Sequence, residues 1–427
     1  MSEEAEDEVA LSSSAYPPSI QAGIPKLGET PRGWSRHRLG DLVERVDRPA
    51  KLANSHTYQL ITAKRNRGGI VAREVLRGEQ IRTKTQFYVA AGDFLISNRQ
   101  ISHGACGIVP GILDGALVSN EYTAFHTTSL LDPAYLSALS HSVYFQQTCF
   151  HSSIGVHVEK LVFRLEDWMR WEFDIPPLEQ QQRIVAVLDT WDRAIEQTER
   201  LIVAKRRRLR ALIAKYTAEF HNERVEFGEL ADLISERIQP GTADAPETSI
   251  ELENIESMTG RIIGSEPVSE DSALRSKFKA GDTLFGKLRP YLAKFAAPQF
   301  DGICSTEIWV LRPKRTRLAP LLLPFIVQTQ EFFAAATIQS GSKMPRADWD
   351  LVSAAPVPCP RDRNKQSRAA SLLSVAFNAA QPEYRKLAAI RAQKKDLLKR
   401  LTSGDWPLDA RFDATLPTLS VVASAVS

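Results

Sequence analysis

From Leu178 to about Phe220 the chain runs without glycine or proline, and its large residues return every three or four positions. Ile184, Leu188, Trp191, Ile195, Thr198, Ile202, Lys205, Leu209, Leu212 and Tyr216 fall on one stripe, which predicts a coiled-coil seam. At 1.5 Å per residue, about forty such residues make a rod of roughly 60 Å, longer than one compact domain needs internally. A spacing of 185 carries the stripe to Ala369, Leu373, Ala376, Ala380, Glu383, Leu387, Ile390, Lys394, Leu397 and Leu401. The second stripe is weaker and Pro382 interrupts it. Proline lacks an amide donor and clashes with the preceding turn, so it either kinks the helix or begins a new one. A shared heptad predicts that the two helices pack on each other. Antiparallel pairing brings Lys205 near Ala380 and Glu383, so that each seam charge meets its opposite.

Outside the helices the pattern shortens to strand-like runs such as Phe94-Leu95-Ile96, Ala116-Leu117-Val118 and Ile308-Trp309-Val310-Leu311, separated by Gly- and Pro-marked turns. Helical patches over 133–150 and 320–336 follow, giving an α+β arrangement. These globules are duplicates as well. Leu39-Gly40-Asp41-Leu42 returns as Phe227-Gly228-Glu229-Leu230, Gly92-Asp93 as Gly281-Asp282, and Asp114-Gly115 with Ser119-Asn120-Glu121 as Asp301-Gly302 with Ser305-Thr306-Glu307. Asp167-Trp168 and Asp348-Trp349 close the halves before Ile175-Pro176-Pro177 and Val357-Pro358-Cys359-Pro360. Two equivalent halves imply a partner with two equivalent sites.

Composition bounds this reading. With 427 residues, 43% apolar and 25% charged, the chain can bury two ordinary cores. No apolar run is long enough to span a bilayer, and Glu3, Glu4, Glu6, Asp7 and Glu8 are the wrong chemistry for a signal peptide, so a cytoplasmic protein without membrane contact is expected. Cys106, Cys149, Cys304 and Cys359 show no paired spacing, and are expected to be buried thiols. The net charge is only +3, but the acidic tail means that the folded body is more basic. Residues 1–32 and those after Trp406 lack hydrophobic periodicity and are expected to be disordered.

Polar loops mix cations, amides and aromatics. The first globule offers Lys64, Arg65 and Arg67, then Asn98, Arg99 and His103; the second offers Lys287, Arg289 and Tyr291, then Lys343. Lys and Arg neutralise phosphates, Arg forks onto guanine, and Asn pairs with adenine, so these are the candidate DNA contacts. Arg99 and Arg289 lie similarly downstream of the repeated Gly-Asp, and the alternative for each is an ion pair with Asp93 or Asp282. Tyr291 is available to pack beneath its loop. The basic run Lys205-Arg206-Arg207-Arg208 is either a solvated face or a contact surface.

No catalytic or metal-binding set emerges. Asp132-Pro133-Ala134-Tyr135 approaches an adenine-methyltransferase motif, but Asp-Pro also caps helices and no glycine-rich cofactor loop accompanies it. Cys149, His151 and His157 have no ligand spacing.

The segment Pro176-Pro177-Leu178-Glu179-Gln180-Gln181-Gln182-Arg183-Ile184 resembles the entry to the first conserved helix of the DNA-specificity subunits of type I restriction-modification systems. The stretches 285–292 with 301–307, and 107–110 through 117–122, are similar to that family's target-recognition domains. The resemblance covers about residues 33–405. It implies two tandem target-recognition domains, each reading half of a bipartite site in double-stranded DNA, separated by two long antiparallel helices in a pseudo-twofold duplication. It also implies a non-catalytic chain without its own cofactor, docking two methyltransferase subunits that hold S-adenosylmethionine and restriction subunits that use ATP and Mg. The expected layout is tail 1–32, domains 33–176 and 222–356, spacer helices 177–221 and 357–403, and tail 404–427. Arg361-Asp362-Arg363-Asn364-Lys365-Gln366 lacks the family's usual Pro-Leu-x-Glu-Gln pattern, which predicts a less regular second helix and puts equal docking at the two ends in question.

Overall fold

The computed structural model describes residues 23–154, 162–242, 246–268, 273–338, 344–406 and 408. Two compact units emerge, one of residues 1–196 with 388–427 and the other of residues 197–387. Their division falls inside the helices rather than at the expected globule edges, because each globule shares its core with the helical segments packed on it.

The first unit contains β1 (Ser35–Arg38), β2 (Val43–Val46), β3 (Pro49–Ala50), β4 (Thr57–Ala63), β5 (Ile70–Arg77), β6 (Gln86–Tyr88), β7 (Phe94–Ser97), β8 (Cys106–Ile108), β9 (Leu117–Ser119), β10 (Tyr122–Thr127), β11 (Ser153–Ile154), β12 (Val162–Phe163) and β13 (Glu172–Ile175). A four-stranded sheet has the order β2-β10-β7-β8, a five-stranded sheet β3-β6-β9-β4-β5, and β1 pairs with β13. The second unit contains β14 (Arg224–Glu226), β15 (Ala231–Ile234), β16 (Arg237–Ile238), β17 (Thr248–Ile250), β18 (Glu266–Pro267), β19 (Arg275–Phe278), β20 (Thr283–Gly286), β21 (Phe295–Ala296), β22 (Gly302–Cys304), β23 (Ile308–Pro313) and β24 (Pro356–Pro358). Its sheets run β15-β23-β20-β21 and β16-β19-β22-β17-β18, with β14 on β24. In these sheets the order repeats strand for strand, and among the described residues only the pair β11-β12 lacks a counterpart. Even the parallel pair within each five-stranded sheet recurs, β4 with β9 and β17 with β22.

The repeated turns explain the repeated motifs. Gly92 and Gly281 adopt φ of 87° and 88°, a left-handed conformation that glycine tolerates. The aspartate that follows each is buried and accepts the amide of Ala90 or Lys279 at 2.8 Å. Asp114 and Asp301 accept the amides of Ala91 and Ala280, both at 2.8 Å. Gly40 and Gly228 sit where a Cβ would lie 3.4 Å from the Met169 carbonyl and 3.1 Å from Ser353 Cβ, each at the C-terminal end of the short helix that carries the Trp of the Asp-Trp pair.

A single helix runs from Leu178 to Glu219, 42 residues. Its apolar stripe is used within both units. In the first, Ile184 and Leu188 join Phe94, Phe125, Phe145, Trp168, Phe173 and Leu401 in one core. In the second, Ile213 and Tyr216 join Phe227, Phe285, Phe332 and Leu373. Trp191, Ile195 and Leu397 are half-buried, while Ile202, Leu387 and Ile390 are buried. In each unit the pairing is antiparallel: Asp192 meets Lys394 in the first, and Lys205 meets Glu383 in the second.

The second helical stretch is two helices, Arg363–Asn378 and Gln381–Ser403. Pro382 therefore begins a helix rather than kinking one, occupying a first-turn position where a missing amide costs nothing. Lys205 Nζ closes the break by donating to the Ala379 carbonyl at 2.9 Å and to Glu383 Oε1 at 2.7 Å. One ammonium thus serves a carbonyl left over at a helix end and a carboxylate in the next helix's first turn.

A buried glutamine fixes each helix start to its globule. Gln181 accepts from the Asp132 amide at 2.7 Å and donates to the carbonyls of Leu130 and Pro176, both at 2.8 Å. Gln366 accepts from the Ala319 amide at 2.8 Å and donates to the carbonyls of Arg317 at 3.1 Å and Pro360 at 2.8 Å. Despite the departure of the second segment from the family pattern, the same clamp is built 185 residues later.

Two stability measurements test these joints. Lys205→Glu should lower stability by about 1 to 3 kcal/mol, because the pair is partly buried and its loss leaves two carboxylates facing each other. Glu383→Lys alone should behave similarly, and recovery in the charge-swapped double mutant on thermal unfolding would verify the coupling. Gln366→Ala, which leaves a buried amide and two carbonyls unsatisfied, should cost about 3 kcal/mol in urea unfolding; a loss below that of an exposed Gln→Ala change would refute the clamp.

Candidate nucleic-acid interface

In the first unit the turn between β4 and β5 and the loop after β7 meet. The Asn66 amide donates to the His103 carbonyl at 2.8 Å and the Arg67 amide to the Gly104 carbonyl at 3.0 Å. This contact holds Asn66 and Arg67 at φ of 55° and 61°, strained for residues with a side chain. Lys64 and Arg65 are exposed beside them. Arg67 instead lines a cavity of about 1180 Å³ together with His103 and His141. Burial pulls the Arg67 guanidinium below its usual range. It also lowers His141 to about 4, with Arg67 and Lys394 pushing the same way, so the imidazole is neutral at pH 7. Asn98 is locked in place, its amide donating to the Glu121 carbonyl at 2.8 Å and its side-chain oxygen accepting from Thr123 at 3.0 Å. Arg99 is 71% exposed, with Glu121 at 2.8 Å.

In the second unit the amide of Lys287 donates to the Glu307 carbonyl at 2.9 Å, reproducing the Asn98–Glu121 bond. Arg289 has φ of 49° and its amide donates to the Pro345 carbonyl at 2.8 Å. A short bridge between Leu288 and Arg346 fixes this loop to residues arriving from much later in the chain. Arg346 grips Glu307 with two bonds, at 2.9 and 3.1 Å, which hold the carboxyl below its usual range. Lys287, Arg346, Trp309 and Trp349 line a second cavity of about 460 Å³. Tyr291 remains 48% exposed on the 3-10 turn Pro290–Leu292 instead of packing beneath the loop.

The strand register corrects two expectations. Ser97 faces Tyr122 and Gly286 faces Ile308, so Asn98 corresponds to Lys287 and Arg99 to Leu288; Arg289 falls one place later, opposite Gln100. Nor do Asp93 and Asp282 pair with Arg99 and Arg289. Arg48, between β2 and β3, holds Asp93 at 2.7 Å, and Arg312 of β23 holds Asp282 at 2.7 Å. Asp132 caps the helix Pro133–Ser140 by accepting the amides of Ala134 at 2.8 Å and Tyr135 at 3.0 Å, while Tyr135 is buried in the core. The four cysteines are free and buried. Among the described residues no His, Cys, Asp and Glu cluster suits a metal, and Lys343 and His157 lie outside those residues.

Other cations escaped the sequence reading. Arg73 and Arg77 are exposed, 49% and 62%, along the edge strand β5, which carries no glycine to mark it. Arg346 was missed because its role depends on a contact with Glu307, 39 residues away in the chain. An alternation of cations within a strand was the available signal for the first; none existed for the second.

Residues 31–205 match the model of the type I restriction modification DNA specificity domain. The type I restriction enzyme EcoDI specificity subunit of Escherichia coli is 29% identical over 139 residues, 32% of this chain and 30% of that protein. The match therefore spans less than a third of that relative. A solved S subunit of a type I restriction-modification system from M. genitalium superposes with a TM-score of 0.53 at 11% identity, covering 90% of this chain and 99% of that one. A chain solved in a study of assembly and conformational transition of the type I R-M system gives 0.52 at 16% identity, covering 89% and 100%. Over residues 31–205 the chain is thus similar in sequence to the type I restriction modification DNA specificity domain, and it shares the fold of the solved S subunit from M. genitalium.

Proposed function

We propose that this chain is the non-catalytic DNA-recognition subunit of a type I restriction-modification complex, reading a bipartite target with one globule per half-site. The observation that carries this is the strand-for-strand repetition of one sheet topology, each copy presenting the same loop after its central strand, β7 or β20. The loops differ in side chains, Asn98-Arg99-Gln100 against Lys287-Leu288-Arg289, as two readers of different half-sites require. In this reading Lys64, Arg65 and Arg99 serve the first half-site, and Lys287 and Arg289 the second.

Catalysis belongs to partners: two adenine methyltransferase subunits holding S-adenosylmethionine, and restriction subunits using ATP and Mg, docked on the helical pair. The EcoDI relative is itself named as a specificity subunit of a restriction enzyme, which supports this assignment. No helix among the described residues is long and apolar enough to cross a membrane, in keeping with action on DNA in the cytoplasm.

Mapping methylated adenines in a genome that carries the intact system should reveal two short specified elements separated by a fixed unspecified gap. A contiguous target would overturn the two-reader model. Arg289→Ala should cost about 1 to 3 kcal/mol and relax one base position if the guanidinium forks onto guanine, whereas contact with phosphate would weaken all sequences alike. Competition binding with single-base variants at fixed salt, with methyltransferase subunits present, separates the two outcomes; unchanged affinity for every variant would remove Arg289 from the interface.

A further inference from the structure

The cavity of about 1180 Å³ in the first unit is left without a role by base reading. Its most unusual member is Arg67. The guanidinium is partly buried, Nε has no hydrogen-bond partner, and Nη2 reaches only the Ser142 carbonyl at 3.4 Å. Burial is what pulls the guanidinium below its usual range, and among the described residues no carboxylate forms an ion pair with it. A desolvated cation without a counter-charge is costly to maintain, and a backbone held at positive φ adds to that cost. Strain of this kind persists at ligand clamps.

The surrounding charge has one sign in excess. Lys395 and Lys399 of the helix Gln381–Ser403 line the same cavity. Of the four acids there, Asp174 is gripped twice by Arg36, both bonds at 2.9 Å, Asp396 is held by Arg400 at 2.8 Å, Asp405 accepts from the Ser403 hydroxyl at 2.7 Å, and Glu29 is exposed to solvent, while six Lys and Arg side chains line the same space. Several cations around one half-open space favour a multiply charged oxyanion over a single carboxylate, and the planar fork of arginine matches two phosphoryl oxygens. We propose that this cavity binds a phosphoryl anion, with Arg67 as its principal ligand and Lys395 and Lys399 completing the positive field.

The proposal stands apart from the DNA-recognition reading, since it concerns binding that is measurable without DNA. Calorimetric titration of the full chain with potassium phosphate, against potassium chloride at matched ionic strength and pH, should show one saturable site. Arg67→Gln should weaken it by about tenfold or more, because a charge-assisted bond is lost. Lys51→Gln, an exposed lysine away from the cavity, should leave it unchanged. If Arg67→Gln does not fold, Lys399→Gln on the exposed helix surface provides the second variant, with an expected loss of about threefold. Heat that rises without saturation, or wild-type affinity in the folded cavity variants, overturns the proposal. Adding duplex DNA identifies the source of the anion: displacement of phosphate assigns the site to a backbone phosphate, and simultaneous binding assigns it to free phosphate or a small phosphorylated ligand.

Discussion

An amide side chain buried where helix meets globule holds this architecture in place. Gln181 and Gln366 each satisfy one backbone donor and two backbone carbonyls that would otherwise be stranded away from water. Apolar packing alone sets no direction, since Ile, Leu and Phe contacts tolerate sliding. The glutamine bonds do not, because their length and angle requirements select one register. The orientation of each helix, and through it the frame on which the recognition loops stand, follows from a single residue per repeat.

Charge is used in two ways around that frame. Buried carboxylates at Asp93 and Asp282 tie turns to strands and are fully engaged by Arg48 and Arg312. Exposed pairs such as Arg99 with Glu121 orient a side chain without immobilising it, since such pairs contribute at most about 1 kcal/mol. Turns are thus rigid beneath loops that can still exchange partners. Arg67 fits neither class, as it is desolvated like the first group and has no acid like those of the second.

Much of the fold was legible because the sequence is written twice. The heptad stripe located the long helix to within two residues at each end, and repeated Gly-Asp and Asp-Gly pairs marked turns that coincide in the two sheets. Three-dimensional neighbours were less legible. Spacing placed Arg289 with Arg99, yet strand register sets Arg289 in the place of Gln100 in a loop of the same length. An ion pair between the nearby cation and a repeated aspartate was the alternative to DNA contact, but the actual partners, Arg48 and Arg312, are brought in by the sheet fold from 45 and 30 residues away. The equivalence of Gln366 to Gln181 was concealed for a different reason: the residues around it changed while the one making the buried bonds did not.

The division of the chain has a consequence for its synthesis. The second unit is continuous, residues 197–387, whereas the first needs residues 388 onward to complete a core begun before residue 196. Leu401 is buried in that core beside Ile184 and Leu188. On the ribosome the later segment can therefore finish folding first, while the earlier one waits with part of its apolar surface uncovered until the last helix emerges. Closing so long a loop is slow, and exposed surface of this kind invites aggregation. The earlier globule is the one most dependent on chaperones or on early capture by a partner.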